Sequence, residues 1–212
     1  MKKVVIFDMD GTLIDSGEDI THSINYVRQK IYDLAPLSIR NVVDAINGTS
    51  KNLAFEFYET HEYENSAKCL FEEHYYTQCI QNVYLYEGVF DMLTKLNENN
   101  VFLGIATNAP SQFAKRMLKH LEVDHFFPLI LGANDVSEPK PSPLILEKHL
   151  NYHGFDRKID QGWMVGDNHK DIAAAHAAGI TSVFVTWGFS QMAGKSDFHV
   201  VRPQELVSLV LQ

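Results

Sequence analysis

Cysteine is nearly absent from this 212-residue chain: only Cys69 and Cys79 occur, both in an aromatic-rich helical stretch. Two thiols are too few for a disulfide scaffold or a cysteine-based zinc site. Long apolar runs are missing too. Nothing approaches the roughly 20 residues that cross a bilayer, and the opening run Val4–Phe7 is cut short by Asp8, so it reads as a strand and not as a signal peptide. Basic residues are the minority, 18 against 27 acidic, for a net charge of −9. That balance disfavours nonspecific binding to nucleic acid or to an anionic membrane. It leaves room for a small anion wherever local donors or a metal reverse the field. There is no repeat and no low-complexity tract. The expectation is a cytoplasmic protein, monomer or homodimer, with no nucleic-acid or membrane partner.

What is present is ordinary globular material, 45% hydrophobic and 21% charged. The length suits one core domain carrying a large insertion. Lys3–Asp8 reads as a strand. From Gly17 to Val83 the pattern is helical, with apolar residues three and four apart near Glu18–Tyr32, Ser38–Ile46, Lys51–Glu59 and Ser66–Cys79. Beyond Tyr86 helices and strands alternate. Strands are expected at Val101–Ala106, Pro128–Leu131, Trp163–Gly166, Ser182–Val185 and His199–Val201. Helices are expected at Val89–Asn99, Ser111–Leu121, Pro143–His153, Asp171–Ala178 and Gln204–Leu211. Ser111 and Ser142 are the expected N-caps of two of them, with Pro143 at the first helical position. Short, almost wholly apolar strands between helices imply a parallel sheet buried on both faces.

In such a sheet ligands bind beyond the carboxyl ends of the strands. The polar clusters fall there: Asp8 and Asp10 after the first strand, Thr107 and Asn108 after another, Asp167 and Asn168 after a third. Asp171 follows four residues after Asp167, and Lys140 sits in the proline-rich loop Pro139-Lys140-Pro141-Ser142-Pro143. Converging carboxylates repel one another. A hard divalent cation such as Mg²⁺, which takes oxygen ligands and keeps waters, resolves that repulsion and can hold a phosphate.

These residues resemble the haloacid dehalogenase superfamily over essentially the whole chain. The matching pieces are Asp8-Met9-Asp10-Gly11-Thr12-Leu13, Thr107-Asn108, Lys140-Pro141-Ser142-Pro143, and Gly166-Asp167 with Asp171. The helical insertion resembles the small cap of the phosphoglycolate phosphatase and β-phosphoglucomutase subgroup. Tyr86-Glu87-Gly88-Val89 is similar to that subgroup's cap-exit turn, although proline is more usual at Glu87. The resemblance implies an α/β fold: a Rossmann-like catalytic core from residues 1–16 and 84–212, with an inserted all-helical cap domain at 17–83.

It also implies roles. Asp8 is the expected nucleophile, forming an aspartyl phosphate and binding Mg²⁺ through its other oxygen. Asp10 is the expected general acid and base, with its backbone carbonyl on the metal. Thr107, with donors around Asn108 and Gly11, is expected to hold the phosphoryl oxygens, and Lys140 to neutralise charge. Asp167 is the expected direct metal ligand. Asp171 and Thr12 stand behind it as orienting groups.

The implied activity is Mg²⁺-dependent hydrolysis of a small phosphorylated metabolite, resembling phosphoglycolate phosphatase. Asp10 argues against dehalogenases and phosphonatases, which depart at that position. A β-phosphoglucomutase-like sugar phosphomutase is the alternative, with Thr12 favouring the phosphatase and His22 keeping the mutase open. A non-catalytic phospho-ligand binding or regulatory protein is the alternative of a different class. His22, His169 and Lys51, in the break Gly48-Thr49-Ser50-Lys51, are weaker candidates for substrate contact. Phe55, Phe57, Tyr58, Tyr63, Phe71, Tyr75 and Tyr76 are expected in the core of the helical region. Residues 16–86 hold ten acidic and five basic residues, which argues mildly against a polyanionic leaving group.

Overall fold

The structure is a computed structural model and describes residues 1–48, 52–190 and 194–212. Lys51 and the rest of the Thr49–Lys51 break lie outside the described residues. The strands are β1 (Lys3–Phe7), β2 (Ile14–Asp15), β3 (Tyr84–Leu85), β4 (Phe102–Ala106), β5 (Leu129–Leu131), β6 (Gln161–Gly166), β7 (Thr181–Val185) and β8 (Phe198–Val200). The helices are α1 (Gly17–Tyr32), α2 (Ile39–Asn47), α3 (Leu53–Tyr58), α4 (Asn65–Gln78), α5 (Val89–Glu98), α6 (Ser111–His120), α7 (Leu144–Tyr152), α8 (His169–Ala178) and α9 (Pro203–Leu211).

Six strands form one sheet in the order β5-β4-β1-β6-β7-β8, every pair parallel. β1 lies inside it, and Val4 to Phe7 are fully buried. That is why the strand is an unbroken β-branched and aromatic run with no polar alternation. Phe7 pairs with Ile105 on one side and Val165 on the other. Asp8, Thr107 and Asp167 therefore leave three neighbouring strands within one residue of a common level. The α/β class and parallel sheet are as the sequence predicts.

The chain divides into two compact units, Met1–Asp15 with Leu85–Gln212, and Ser16–Tyr84. The first contains the six-stranded sheet. Its packing is tight enough that Gly104 admits no Cβ, because His149 occupies the space. His149 Nε2 donates to the Ile105 carbonyl at 2.8 Å, while Nδ1 is buried with no hydrogen-bond partner among the described residues. Burial pulls the His149 pKa down to about 4.

The second unit is helical and has its own apolar core, including Ile24, Val27, Val42, Phe57, Tyr58 and Ala67. Buried Arg28 donates to the carbonyls of Ala35 and Phe57. Asp19, fully buried, accepts from Gln78 Nε2 at 2.9 Å, Asn82 Nδ2 at 2.7 Å and Asn82 N at 3.0 Å. The seven aromatics expected in this core divide. Phe57, Tyr58 and Tyr75 are buried and Phe71 packs at its margin, but Phe55, Tyr63 and Tyr76 are exposed.

Two caps differ from expectation. Ser111 is the first helical residue of α6 and Pro110 takes the cap position, because the Ser111 N–H and hydroxyl are engaged with the Asn134 amide. Pro143, not Ser142, is the cap residue of α7, and Ser142 instead closes a turn by donating its N–H to the Pro139 carbonyl. β2 and β3, which form a separate two-stranded sheet, have no counterpart in the sequence reading.

Candidate functional site

The site is built at the carboxyl rim of the sheet, all of it within the first unit. Asp8 follows β1 directly. The carbonyl of Met9 then accepts the N–H groups of Thr12, Leu13 and Ile14, folding Asp8–Ile14 into a tight turn. Gly11 has φ +81°, the left-handed region open to glycine, and a Cβ there would run into the Asp167 carboxylate and the Phe189 ring. The residue type at position 11 is thus set both by the turn and by what lies against it.

Lys140 is the centre of the charge arrangement. Its Nζ lies 2.8 Å from Asp8 Oδ1 and 2.6 Å from Asp171 Oδ1. It is only 3% exposed, against 9% for Asp8, 1% for Asp171 and 0% for Asp167. Burial alone would pull the ammonium's pKa down; Asp171 and Asp8 outweigh it and hold Lys140 above its ordinary value. The loop bearing Lys140 is clamped by Asn108. Asn108 Nδ2 donates to the Lys140 carbonyl at 2.9 Å, and Asn108 Oδ1 accepts from the Lys140 N–H at 3.0 Å. The carboxamide, and not only the backbone, is therefore what position 108 contributes.

Asp171 sits in the first turn of α8, two residues inside the start of that helix. Asn168 caps the helix by accepting from the Lys170 N–H, and Asp171 Oδ2 accepts in return from the Asn168 N–H at 3.0 Å. Both Asp171 oxygens are thus engaged, one by Lys140 and one by the cap. Gly166 lacks the Cβ that would collide with this carboxylate.

Asp8, Asp167 and Asp171 each place an oxygen within 4.8 Å of the others. Three carboxylates share one ammonium, an excess of negative charge in a buried space. Burial first, and then Asp8 and Asp171, push the Asp167 carboxyl up to about 8, although the N–H groups of Ser190 and Phe189 oppose this. Such a cluster is short of positive charge. Its donors are all hard oxygens, so a hard dication fits it. Asp171 has one oxygen on the Lys140 ammonium and the other on the helix cap, and Asp8 has one oxygen on Lys140.

Thr12 Oγ1 donates to Asp167 Oδ1 at 3.3 Å. Thr107 is buried, and its hydroxyl accepts from the Ala109 N–H at 3.0 Å, shaping the loop after β4. Asp10 lies on the turn and bridges to Ile14; its carboxylate is not in the cluster of three. His22 finds its partners inside the second unit, with Glu18 at 3.9 Å and Gln78 at 3.4 Å. His169 opens α8 beside Asn168.

The sequence reading missed the segment Trp187–Ser190 after β7. Phe189 N and Ser190 N donate to Asp167 Oδ2 at 2.9 and 3.1 Å, and Trp187 Nε1 donates to the Thr12 carbonyl at 3.0 Å. A glycine between two aromatics at a strand end was the available signal. It also missed Asn134, whose amide accepts from the Ser111 N–H at 2.8 Å just beyond the Thr107–Asn108 loop.

The family model for the haloacid dehalogenase-like hydrolases matches residues 5–185. A phosphoglycolate phosphatase of Aliivibrio fischeri is 32% identical over 92% of this chain and 88% of its own length. A pyrophosphatase PpaX of Bacillus mycoides is 30% identical over 94% and 89%. Among solved structures, that of a predicted phosphoglycolate phosphatase from Haemophilus somnus superposes with a TM-score of 0.85 at 27% identity, covering 98% of this chain and 97% of the other. With its Asp8 rim, its Lys140 bridge and a match running through most of its length, the chain belongs to the haloacid dehalogenase-like hydrolases.

Proposed function

We propose that the protein is a Mg²⁺-dependent phosphatase of small phosphomonoesters, working through an aspartyl phosphate on Asp8. The observation that carries this is the Lys140 ammonium held between Asp8 and Asp171, with Asp167 beside them and no second ammonium or guanidinium paired to the cluster among the described residues. The phosphoglycolate phosphatases among its relatives point to a compact, anionic ester.

A carboxylate oxygen of Asp8 attacks phosphorus, and the bond from phosphorus to the ester oxygen breaks. The leaving oxygen takes a proton from the Asp10 carboxyl. Asp10, now ionised, removes a proton from water as that water attacks the phosphorus of the aspartyl phosphate. The Asp8 carboxylate is released and Asp10 is protonated again. Lys140 offsets charge on Asp8 throughout, and the donors around Thr107, Asn108 and Gly11 hold the phosphoryl oxygens. Asp8, Asp167 and the Asp10 carbonyl would hold Mg²⁺, which would neutralise charge on the phosphoryl group. Asp171 keeps Lys140 in place, and Asn108 fixes the loop that delivers it.

The test is phosphate release from phosphoglycolate, sugar phosphates, nucleoside monophosphates and pyrophosphate with Mg²⁺. Asp8→Asn is expected to lower turnover at least about a thousandfold with the fold retained. Turnover by Asp8→Asn close to the parent's would remove Asp8 as nucleophile. Undiminished hydrolysis in excess EDTA would remove the metal.

A further inference from the structure

The Asp167 carboxylate is held by a segment that belongs to none of the motifs above. β7 lies beside β6 in the sheet, so the chain leaving β7 emerges next to the chain leaving β6. There Gly188 packs so closely on the Gly11 carbonyl and on Asp167 that a Cβ has no space. That approach aims two successive N–H groups, Phe189 and Ser190, at one oxygen, Asp167 Oδ2, at 2.9 and 3.1 Å. Trp187 secures the near end of the segment by donating from Nε1 to the Thr12 carbonyl at 3.0 Å. The hydroxyl of the same Thr12 donates to the other oxygen, Asp167 Oδ1. Three hydrogen bonds from one short segment thus converge on a single carboxylate and the residue that supports it.

We propose that Trp187–Ser190 is a strap that fixes Asp167 as a one-oxygen metal ligand and thereby sets the protein's affinity and preference for Mg²⁺. The inference rests on the reading of Asp167 as a metal ligand. Two N–H donors fill both lone-pair positions of Oδ2. Only Oδ1 is left to face a cation. Mg²⁺ requires compact octahedral coordination and suits such a ligand. Ca²⁺ takes six to eight oxygens and often both oxygens of a carboxylate, so a carboxylate pinned in this way offers it less. Backbone donors suit this role better than side chains, since they cannot rotate away when the site is empty. Trp187, Gly188, Phe189 and Ser190 are accordingly positioning residues: they act through Asp167 and not on substrate. Partners of this kind typically contribute about ten- to a hundredfold in metal affinity.

The experiment is titration calorimetry of the full chain with MgCl₂ and separately with CaCl₂, without substrate, beside the melting temperature of each variant. Ser190→Pro removes one of the two N–H donors, and Gly188→Ala pushes the segment off Asp167. Either is expected to weaken Mg²⁺ binding about tenfold or more and to narrow the preference for Mg²⁺ over Ca²⁺. Ser190→Ala keeps the N–H and is expected to bind Mg²⁺ as the parent does. If one of the two disruptive variants fails to fold, the other carries the test. A lower melting temperature with unchanged Mg²⁺ affinity would show that the segment only supports the fold, and would overturn the proposal. Asp167→Asn separates the two levels. Undiminished Mg²⁺ binding by that variant would overturn the assignment of Asp167 itself, whereas its loss together with unaltered strap variants would overturn the strap alone.

Discussion

Two buried aspartates in this molecule have opposite surroundings. Asp19, in the helical unit, is fully buried and accepts three N–H bonds from Gln78 and Asn82. Neutral donors meet its needs, and it ties the start of α1 to the segment beyond α4. Asp167, at the sheet rim, is equally buried and also accepts two N–H bonds, yet it stands against Asp8 and Asp171 with one lysine among the three. A carboxylate that serves only the fold finds donors and avoids its own kind. One crowded against like charges costs stability, and such arrangements are kept where something else binds. The difference in company, more than the burial, marks the functional carboxylate.

The sharpest way to break this comparison is to neutralise each aspartate in turn. Asp167→Asn is expected to lower phosphatase turnover by at least about a hundredfold, while the metal-free protein melts no lower than the parent, because repulsion is relieved. Asp19→Asn is expected to do the reverse. Its new NH₂ would face donors, costing about 1–3 kcal/mol, with Mg²⁺ affinity unchanged. Calorimetric melting in EDTA beside Mg²⁺ titration reads both, and equal destabilisation by the two substitutions would erase the distinction.

A smaller effect lies in pH. The Asp167 carboxyl is raised to about 8 from an ordinary 3.8, so the folded protein binds that proton more tightly than the unfolded chain does. Its stabilising contribution is full below the ordinary value and is lost as pH rises through about 8. The metal-free parent is therefore expected to lose stability between about pH 4 and 8, most clearly above pH 6.5, and Asp167→Asn or added Mg²⁺ to flatten that slope. A parent profile that is flat, or rises, over this window in EDTA would contradict the account. His149 acts in the opposite direction at acid pH. Its pKa is lowered to about 4, so its contribution is present above its ordinary value of 6.5 and is lost as pH falls.

The smallest expected change is at Asn108. Asn108→Ala removes both bonds that clamp the Lys140 backbone. It is expected to lower turnover about tenfold, with a loss of stability of about 1–3 kcal/mol. Unchanged turnover would make the clamp incidental to catalysis.

Much of this site is legible in the sequence because its residues follow strands that announce themselves. Val4–Phe7 can only be an interior strand, so Asp8 must emerge at its end. The same holds for Thr107 and Asp167. What is not legible depends on which strands are neighbours or on competition for a single hydrogen bond. Trp187–Ser190 reaches Asp167 only because β7 lies beside β6. Asp171 reads either as a helix-start acid or as a partner for Lys140, and the structure uses one oxygen for each. Ser111 and Ser142 have the side chains of caps but are engaged by Asn134 and by a proline turn. β2 and β3, two residues each, are too short to leave any periodicity.

The central claim is that Asp8 carries the phosphoryl group. It is tested most directly by quenching the enzyme during turnover of its best substrate, reducing acyl phosphate with borohydride, and sequencing the peptide that spans residues 3–12. Homoserine is expected at position 8 in a turnover-dependent fraction of molecules, and none in EDTA. Unmodified Asp8 under conditions of rapid turnover, with reduction found at another carboxylate or nowhere, would contradict it.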